Sequence, residues 1–410
     1  MVYKTLKTVA YETHHDFKAV ANEYDRRFHS YGTFKTGLFP YLSAQTILSG
    51  DQRELFVVPL REIAISSERI RYNSDELIAL LAQLPSTARE LYIQKQMINE
   101  ILANNQLAGL KNSPNEVEIA IKALDTNSYR EIRFAAMAKM YQAIIDHDYQ
   151  RIESPIDIRK IYDQLLHGLI KHDQLPDGAF FRKRISVIKH SDDEIDYQLP
   201  GDQQDLERRI GQWLKFISNK NIPFLLKGLL AHGCFENLHP FYDGNGRTGR
   251  YILSLYLARK LDIVSGLNVS QMIAKSPDSY NKAAIAFSDA ENFAEGSSFV
   301  ADLLEMIEER QRTVIENLTG KLKKLTDLNQ KIQTLYPVNS SDYFVLNLLA
   351  QSALFSASQT SGLLDRDILK HAQNGQQSKR AVNFAIKALV SSKQIVTIKK
   401  NPGQHLINIL

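Results

Sequence analysis

The chain has 410 residues, enough for two or three domains with cores of their own. Its 44% hydrophobic and 23% charged content excludes a disordered chain, and a net charge of +4 neither demands nor excludes a polyanionic partner. The single cysteine, Cys234, excludes internal disulfides, no apolar run approaches the ~20 residues of a membrane span, and Met1 to Lys7 lack a signal-peptide core, so a cytoplasmic protein without membrane contact is expected.

Residues 1–150 read as a helical region. Asp75 to Leu84 and Thr87 to Gln106 carry amphipathic spacing on either side of Pro85. His14 and His15 lie in a polar segment and read as solvated surface. A further helix starts at Ser154-Pro155, with Ser as cap and Pro in the first turn. After the turn Pro176-Asp177-Gly178 comes Arg184-Ile185-Ser186-Val187-Ile188, alternating and β-branched, the clearest strand signal before the C-terminus. Trp213 falls on a helical pattern and is expected in the core. From Phe224 the chain is rich in Leu and Ala and free of β-branched residues, a buried helix that should end near Leu238. Cys234 sits in it as a small buried residue.

Residues 239–250, His-Pro-Phe-Tyr-Asp-Gly-Asn-Gly-Arg-Thr-Gly-Arg, hold a potential general base, a carboxylate, three glycines and two arginines with almost no apolar filler. Pro240 forbids smooth continuation of the preceding helix, and the pattern after Gly246 is helical again. The glycines therefore form a tight loop that feeds a helix N-terminus, where unpaired N–H groups and the dipole favour an anion. Arg247 and Arg250, three apart, add two full charges suited to phosphate oxygens. The implied ligand is a polyphosphate. Gly244, Gly246 and Gly249 also match the dinucleotide fingerprint, but that motif must follow a strand. His239 and Asp243 have the spacing of a helical zinc pair, but Pro240 and Gly244 oppose a regular turn. A merely structural glycine corner would not require His, Asp and Asn together.

These twelve residues resemble the signature of the Fic family, His-x-Phe-x-(Asp/Glu)-Gly-Asn-Gly-Arg-x-x-Arg, at every fixed position, with a likeness extending over roughly residues 91–307. The resemblance implies a mainly α fold: a Fic helical core at 151–300 with a small β-hairpin flap. It also implies a protein adenylyltransferase that moves AMP from ATP-Mg2+ to a Ser, Thr or Tyr hydroxyl of a target protein, or of itself. His239 would take the hydroxyl proton, and Asp243 would hold the magnesium. Gly244, Asn245 and Gly246 would cradle the phosphates, with Arg247 and Arg250 neutralising the triphosphate. Phe241 would anchor the loop. Other nucleotides or a phosphocholine donor are alternatives, because the motif reads phosphates better than bases.

The resemblance assigns two further segments. Residues 99–109 are similar to the inhibitory helix that many Fic proteins carry, whose form Ser-Ser-x-Ile-Glu-Gly aligns with 104–109. Asn104, Ala108 and Gly109 are then the regulatory positions, and Ala108 stands where the family has its inhibitory glutamate. Arg250 is therefore expected to be free for ATP and the chain weakly autoinhibited. The competing reading is an ordinary helix end capped by Gly109. Residues 181–188 resemble the flap that pairs with the target segment, with Phe181, Arg182, Ile185 and Val187 as docking residues; the competing reading of its basic residues is a solvated edge.

Beyond the motif, apolar residues from Phe299 to Gln333 recur at helical steps, a connector at 301–336 or a homodimer seam. Residues 337–410 hold three helical patterns and then two strands joined by Asn401-Pro402-Gly403, which resembles a winged helix-turn-helix. From Ser341 to Leu410 eight basic residues face three acidic ones, a net charge of +5 suited to DNA. The alternative function is thus a DNA-binding transcriptional regulator whose core only senses a nucleotide.

Overall fold

A computed structural model describes residues 3–43, 53–124, 131–184, 186–189, 195–199, 202–357, 362–374 and 377–408. Among them are seventeen α-helices and seven short strands, so the mainly helical expectation holds. No helix among these residues is long and apolar enough to cross a membrane.

The first helices, α1 (Leu6–Glu12) and α2 (Phe17–Phe28), are each started by a side chain that accepts from the first turn: Thr5 from the Thr8 N–H, and Asp16 from those of Lys18 and Ala19. The two-residue strands β1 (Phe34–Lys35) and β2 (Phe56–Val57) pair antiparallel. The long helices α3 (Arg61–Gln83) and α4 (Ser86–Gln106) break at Pro85 as expected. They lead to α5 (Pro114–Ala123), α6 (Ala135–Ile145) and α7 (Pro155–Leu165). Ser154 and Asp157 cap α7 reciprocally. The hairpin β3 (Ser186–Lys189) and β4 (Ile195–Leu199) runs antiparallel from Ser186 opposite Leu199.

Next come α8 (Gln203–Ser218), α9 (Phe224–Leu238) and α10 (Asn245–Lys260). α9 is apolar all round and accordingly buried all round: Leu225, Leu226, Leu229, Leu230, Phe235 and Leu238 lie in the core with Cys234. It packs against α8, α10 and, further on, α13 (Pro277–Ser288), which follows the short helices α11 (Ile263–Gly266) and α12 (Val269–Lys275). Trp213 of α8, 1% exposed, donates its indole N–H to the Ala231 carbonyl at 2.8 Å, so its burial leaves no unpaired donor. The apolar repeat from Phe299 onward is one continuous helix, α14 (Ser297–Leu335).

The remaining elements are α15 (Ser341–Phe355), β5 (Leu363–Leu364), α16 (Asp365–Asn374), α17 (Lys379–Ser391), β6 (Ile395–Lys400) and β7 (Gly403–Ile407). The three strands form one antiparallel sheet in the order β5-β7-β6. α17 turns Val382, Ala385, Ile386 and Leu389 inward and packs on α15, α16 and β6.

Two compact units result. The first holds the chain up to Ser74 together with Asn99–Gln311; the second holds Asp75–Ile98 and everything from Arg312. In the second, the N–H of Ala88 donates to Gln351 Oε1 at 3.0 Å, so the start of α4 is satisfied by a buried side chain of α15. Residues 239–250 and the end of α4 both belong to the first.

Candidate active site

α9 ends because His239 adopts a left-handed conformation, φ 48° and ψ 62°, with its N–H still bonded to the Phe235 carbonyl at 3.1 Å. The imidazole thus leaves the helix register and is directed by the loop. α10 begins at Gly244, also left-handed at φ 88°, where a β-carbon would overlap Leu166 and press on Tyr162. Gly244 caps α10 without a side chain, so the first-turn N–H groups have no side-chain acceptor. The expected helix, loop, helix arrangement is present.

Other side chains hold the loop in place. Asn245, fully buried, accepts from the Phe241 N–H at 2.9 Å and donates to the Phe241 carbonyl at 2.8 Å. Its amide was expected to cradle phosphate; here it bonds the loop backbone at Phe241, where a buried peptide cannot stay unpaired. Phe241 stacks on Tyr162 at 3.9 Å and touches Phe181, anchoring the loop as expected.

Phe181 and Arg182 were expected to dock a target, but both are completely buried. The Arg182 N–H donates to the Pro240 carbonyl at 2.9 Å, its Nε to the His239 carbonyl at 2.9 Å, and its NH1 to the Arg184 carbonyl at 2.7 Å. These two residues brace the loop at His239, Pro240 and Phe241. Val187 lies in β3, opposite Gln198, while Ile185 falls outside the described residues.

The electrostatics follow from burial. Removal from solvent, aided by the positive charge of Arg182, pulls His239 down to about 4, although a ring N–H donates to the Glu236 carbonyl and Asp243 lies near. The imidazole is therefore neutral at physiological pH, with one nitrogen committed to the backbone and the other left to accept a proton. Arg247 is 2% exposed and reaches the half-exposed Asp243 carboxylate through NH2, at 3.1 and 3.2 Å. Its Nε and NH1 are buried with no partner, as is the Tyr162 hydroxyl. Burial lowers the Arg247 guanidinium pKa, while Asp243 holds it up. A buried cation with two vacant N–H donors beside a carboxylate is a site shaped for an anionic oxygen. No group of three metal-ligating side chains exists among the described residues. Asp243 would accordingly hold magnesium as a lone protein carboxylate, the mode Mg2+ uses when phosphates and waters complete its shell.

Arg250 was expected to be free, and it is not. Its Nε donates to Asn104 Oδ1 at 2.7 Å and its NH2 to the Asn104 carbonyl at 3.1 Å. Asn104, wholly buried near the end of α4, also donates to Tyr141 Oη at 3.1 Å and to the Arg247 carbonyl at 3.3 Å. Glu100, one turn earlier, accepts from the backbone N–H groups of Ser270 and Gln271 at 2.7 and 3.2 Å and ties the same helix down. Gly109, at φ 70°, ends the helix in a left-handed cap, and the Leu110 N–H returns to the Asn105 carbonyl. Ala108 is exposed in that turn. The helix end is thus both an ordinary cap and a contact with the second arginine, made one turn before Ala108.

Residues 153–257 match the model of the Fic/DOC family. The chain carries a Fic/DOC family domain over these residues. Over 145 residues it is 28% identical to the protein adenylyltransferase Fic of Drosophila willistoni, covering 35% of this chain and 27% of that protein. The relation to the protein of the same name from Drosophila virilis is equally distant, at 28% identity and 28% of its length. The chain therefore spans about a quarter of these relatives. A Fic family protein from Desulfovibrio desulfuricans G20 shares the fold with a TM-score of 0.51 at 17% identity, over 86% of this chain and 97% of that one.

Sequence reasoning missed the contacts of two residues. Asn104 was named as a regulatory position but given no partner, and Arg182 was taken for a docking residue of the flap. The signal for Arg182 was its place beside two phenylalanines, which a solvated edge does not need.

Proposed function

We propose that this protein is an adenylyltransferase that joins AMP from ATP to a hydroxyl side chain of a target protein. The observation that carries the reading is the pairing of a neutral, loop-held His239 with the two vacant donors of buried Arg247 beside Asp243. A general base and a polyphosphate clasp within one twelve-residue stretch of loop and helix N-terminus suit phosphoryl chemistry.

In the reaction, the target hydroxyl oxygen attacks the α-phosphorus of ATP while its proton passes to the free nitrogen of His239. The new bond joins that oxygen to phosphorus, the bond to the β-phosphate breaks, and pyrophosphate leaves. Arg247 and the first-turn N–H groups of α10 balance the charge on the phosphates, and Arg250 meets the terminal phosphate after releasing Asn104. Magnesium, held by Asp243, would supply charge neutralisation across the phosphates. The hairpin β3–β4 offers a strand edge to the target segment, the usual logic of β-augmentation. The names of the Drosophila relatives support the same reaction class.

The test is incubation of the protein with ATP labelled at the α-phosphate and, separately, at the γ-phosphate. Covalent label is expected only from the α-labelled nucleotide and should vanish in His239→Ala. Label from neither, in the presence of candidate targets, would favour a nucleotide sensor instead.

A further inference from the structure

The second unit presents a surface that the adenylyltransferase reading does not use. α17 is amphipathic in two opposed stripes. Val382, Ala385, Ile386 and Leu389 are buried, whereas Arg380, Asn383, Phe384 and Lys387, which share the same three-and-four spacing, are exposed. Phe384 is 75% exposed. A surface aromatic of this size, set between cations on the outward stripe of a well-packed helix, contributes nothing to the core it faces away from.

This stripe lines a groove of about 850 Å³ whose other wall includes Ser341 and Asp342, at the start of α15. Beside α17 runs the β6–β7 hairpin, packed on it through β6, with Lys399 and Lys400 exposed near the turn. The charge here is one-sided. Asp367 is paired to Arg366 and Asp365 lies 2.9 Å from His405 Nε2, and Asp342 is the one other Asp or Glu from Ser341 onward. Lys379, Arg380, Lys387, Lys393, Lys399 and Lys400 form no ion pair among the described residues.

We infer that the outward face of α17, flanked by the β6–β7 hairpin, docks duplex DNA with α17 in the major groove. α16 packed on α17 and followed by a basic hairpin is the arrangement in which a second helix enters that groove. At 13 residues α17 is about 20 Å long, and a helix fits a groove about 12 Å wide. Lysines of the hairpin and of the α17 N-terminus face phosphates and set register. Asn383 has the donor and acceptor pair that reads adenine, and the exposed Phe384 ring offers an apolar contact to a thymine methyl. Charge decides between this partner and a second protein copy, since a self-complementary contact would oppose six unpaired cations to six others.

Fluorescence anisotropy of the full chain with a labelled random-sequence duplex of about 24 base pairs tests the inference at two salt concentrations. Binding is expected at 50 mM salt, with at least a tenfold loss by 200 mM, because several phosphate contacts make affinity fall steeply with salt. Arg380→Ala with Lys387→Ala should weaken binding about tenfold, and Lys399→Glu with Lys400→Glu should do so independently and flatten the salt dependence. Phe384→Ala should leave random-duplex affinity within about twofold but reduce enrichment of any preferred sequence in a selection. Thermal melts of each variant, unchanged from wild type, exclude unfolding as the cause. No binding at 50 mM salt, binding that the paired substitutions leave unaltered, or a dimer abolished by Phe384→Ala would each overturn the assignment.

Discussion

Arg250 donates twice to one residue, Nε to the side-chain oxygen of Asn104 and NH2 to its backbone carbonyl, and Asn104 in turn donates to the carbonyl of Arg247. One neutral amide thus touches both Arg247 and Arg250. A neutral partner holds a guanidinium less tightly than a carboxylate does, since charge-assisted bonds are roughly twice as strong.

From this follows the first prediction. Asn104→Ala removes the Nε partner but leaves the carbonyl, so Arg250 should reach ATP more readily and the KM for ATP should fall severalfold. Ala108→Glu would place a carboxylate one turn further on, where it can compete for Arg250, and should slow label transfer. Initial rates across ATP concentrations check both. An unaltered KM in Asn104→Ala would mean that Arg250 keeps its place during turnover.

The pH profile is the second. In the proposed reaction His239 acts only when neutral, and burial pulls its pKa down to about 4. The rate should be flat between pH 6 and 8 and fall as the pH drops toward about 4, where the imidazolium forms. Loss of the base in His239→Ala is expected to cost about 10²- to 10⁴-fold in rate.

Gly244→Ala is the third. It forces a side chain into a left-handed backbone position already closed by Leu166 and Tyr162. A destabilisation of about 2 kcal/mol or more is expected, from strain and overpacking together. Denaturant unfolding measures it, and a neutral outcome would show that the loop can shift.

The fourth concerns Glu236, whose Oε1 is buried without a partner against α10 at Gly249. Burial raises this carboxyl from its ordinary 4.5 to about 7. Below about pH 4.5 both folded and unfolded chains carry the proton, and the stability is fully present. As pH rises toward 7 the unfolded chain ionises first, so stability is lost over that window. Glu236→Gln should flatten that part of the dependence of Tm on pH, a difference readable by calorimetry of the two proteins side by side.

Much of the site could be read in advance because its chemistry is contiguous. His239, Asp243, Arg247 and Arg250 share twelve residues, and Pro240 with Gly244 announces the turn that separates two helices. What stayed hidden depends on contacts across long sequence separations. Nothing local to Asn104 says that it will lie 146 positions away in the chain from an arginine it holds. Arg182 likewise sits in a basic run that resembles a solvated edge, and only folding brings it beneath His239. Asn245 was assigned to the ligand because an amide in a glycine loop fits either role, and the backbone of Phe241 claims it first. The strands β1 and β2, two residues each, carry no pattern long enough to detect.

Cys234 offers a practical dividend. It is the only thiol of the chain, buried in α9 and pushed by its surroundings up to about 12, so maleimides and other alkylating probes should pass it by. A cysteine introduced on the hairpin or along the outer stripe of α17 could then carry a fluorophore or spin label free of background. Both surfaces could thereby be watched in the working protein without first deleting a native residue.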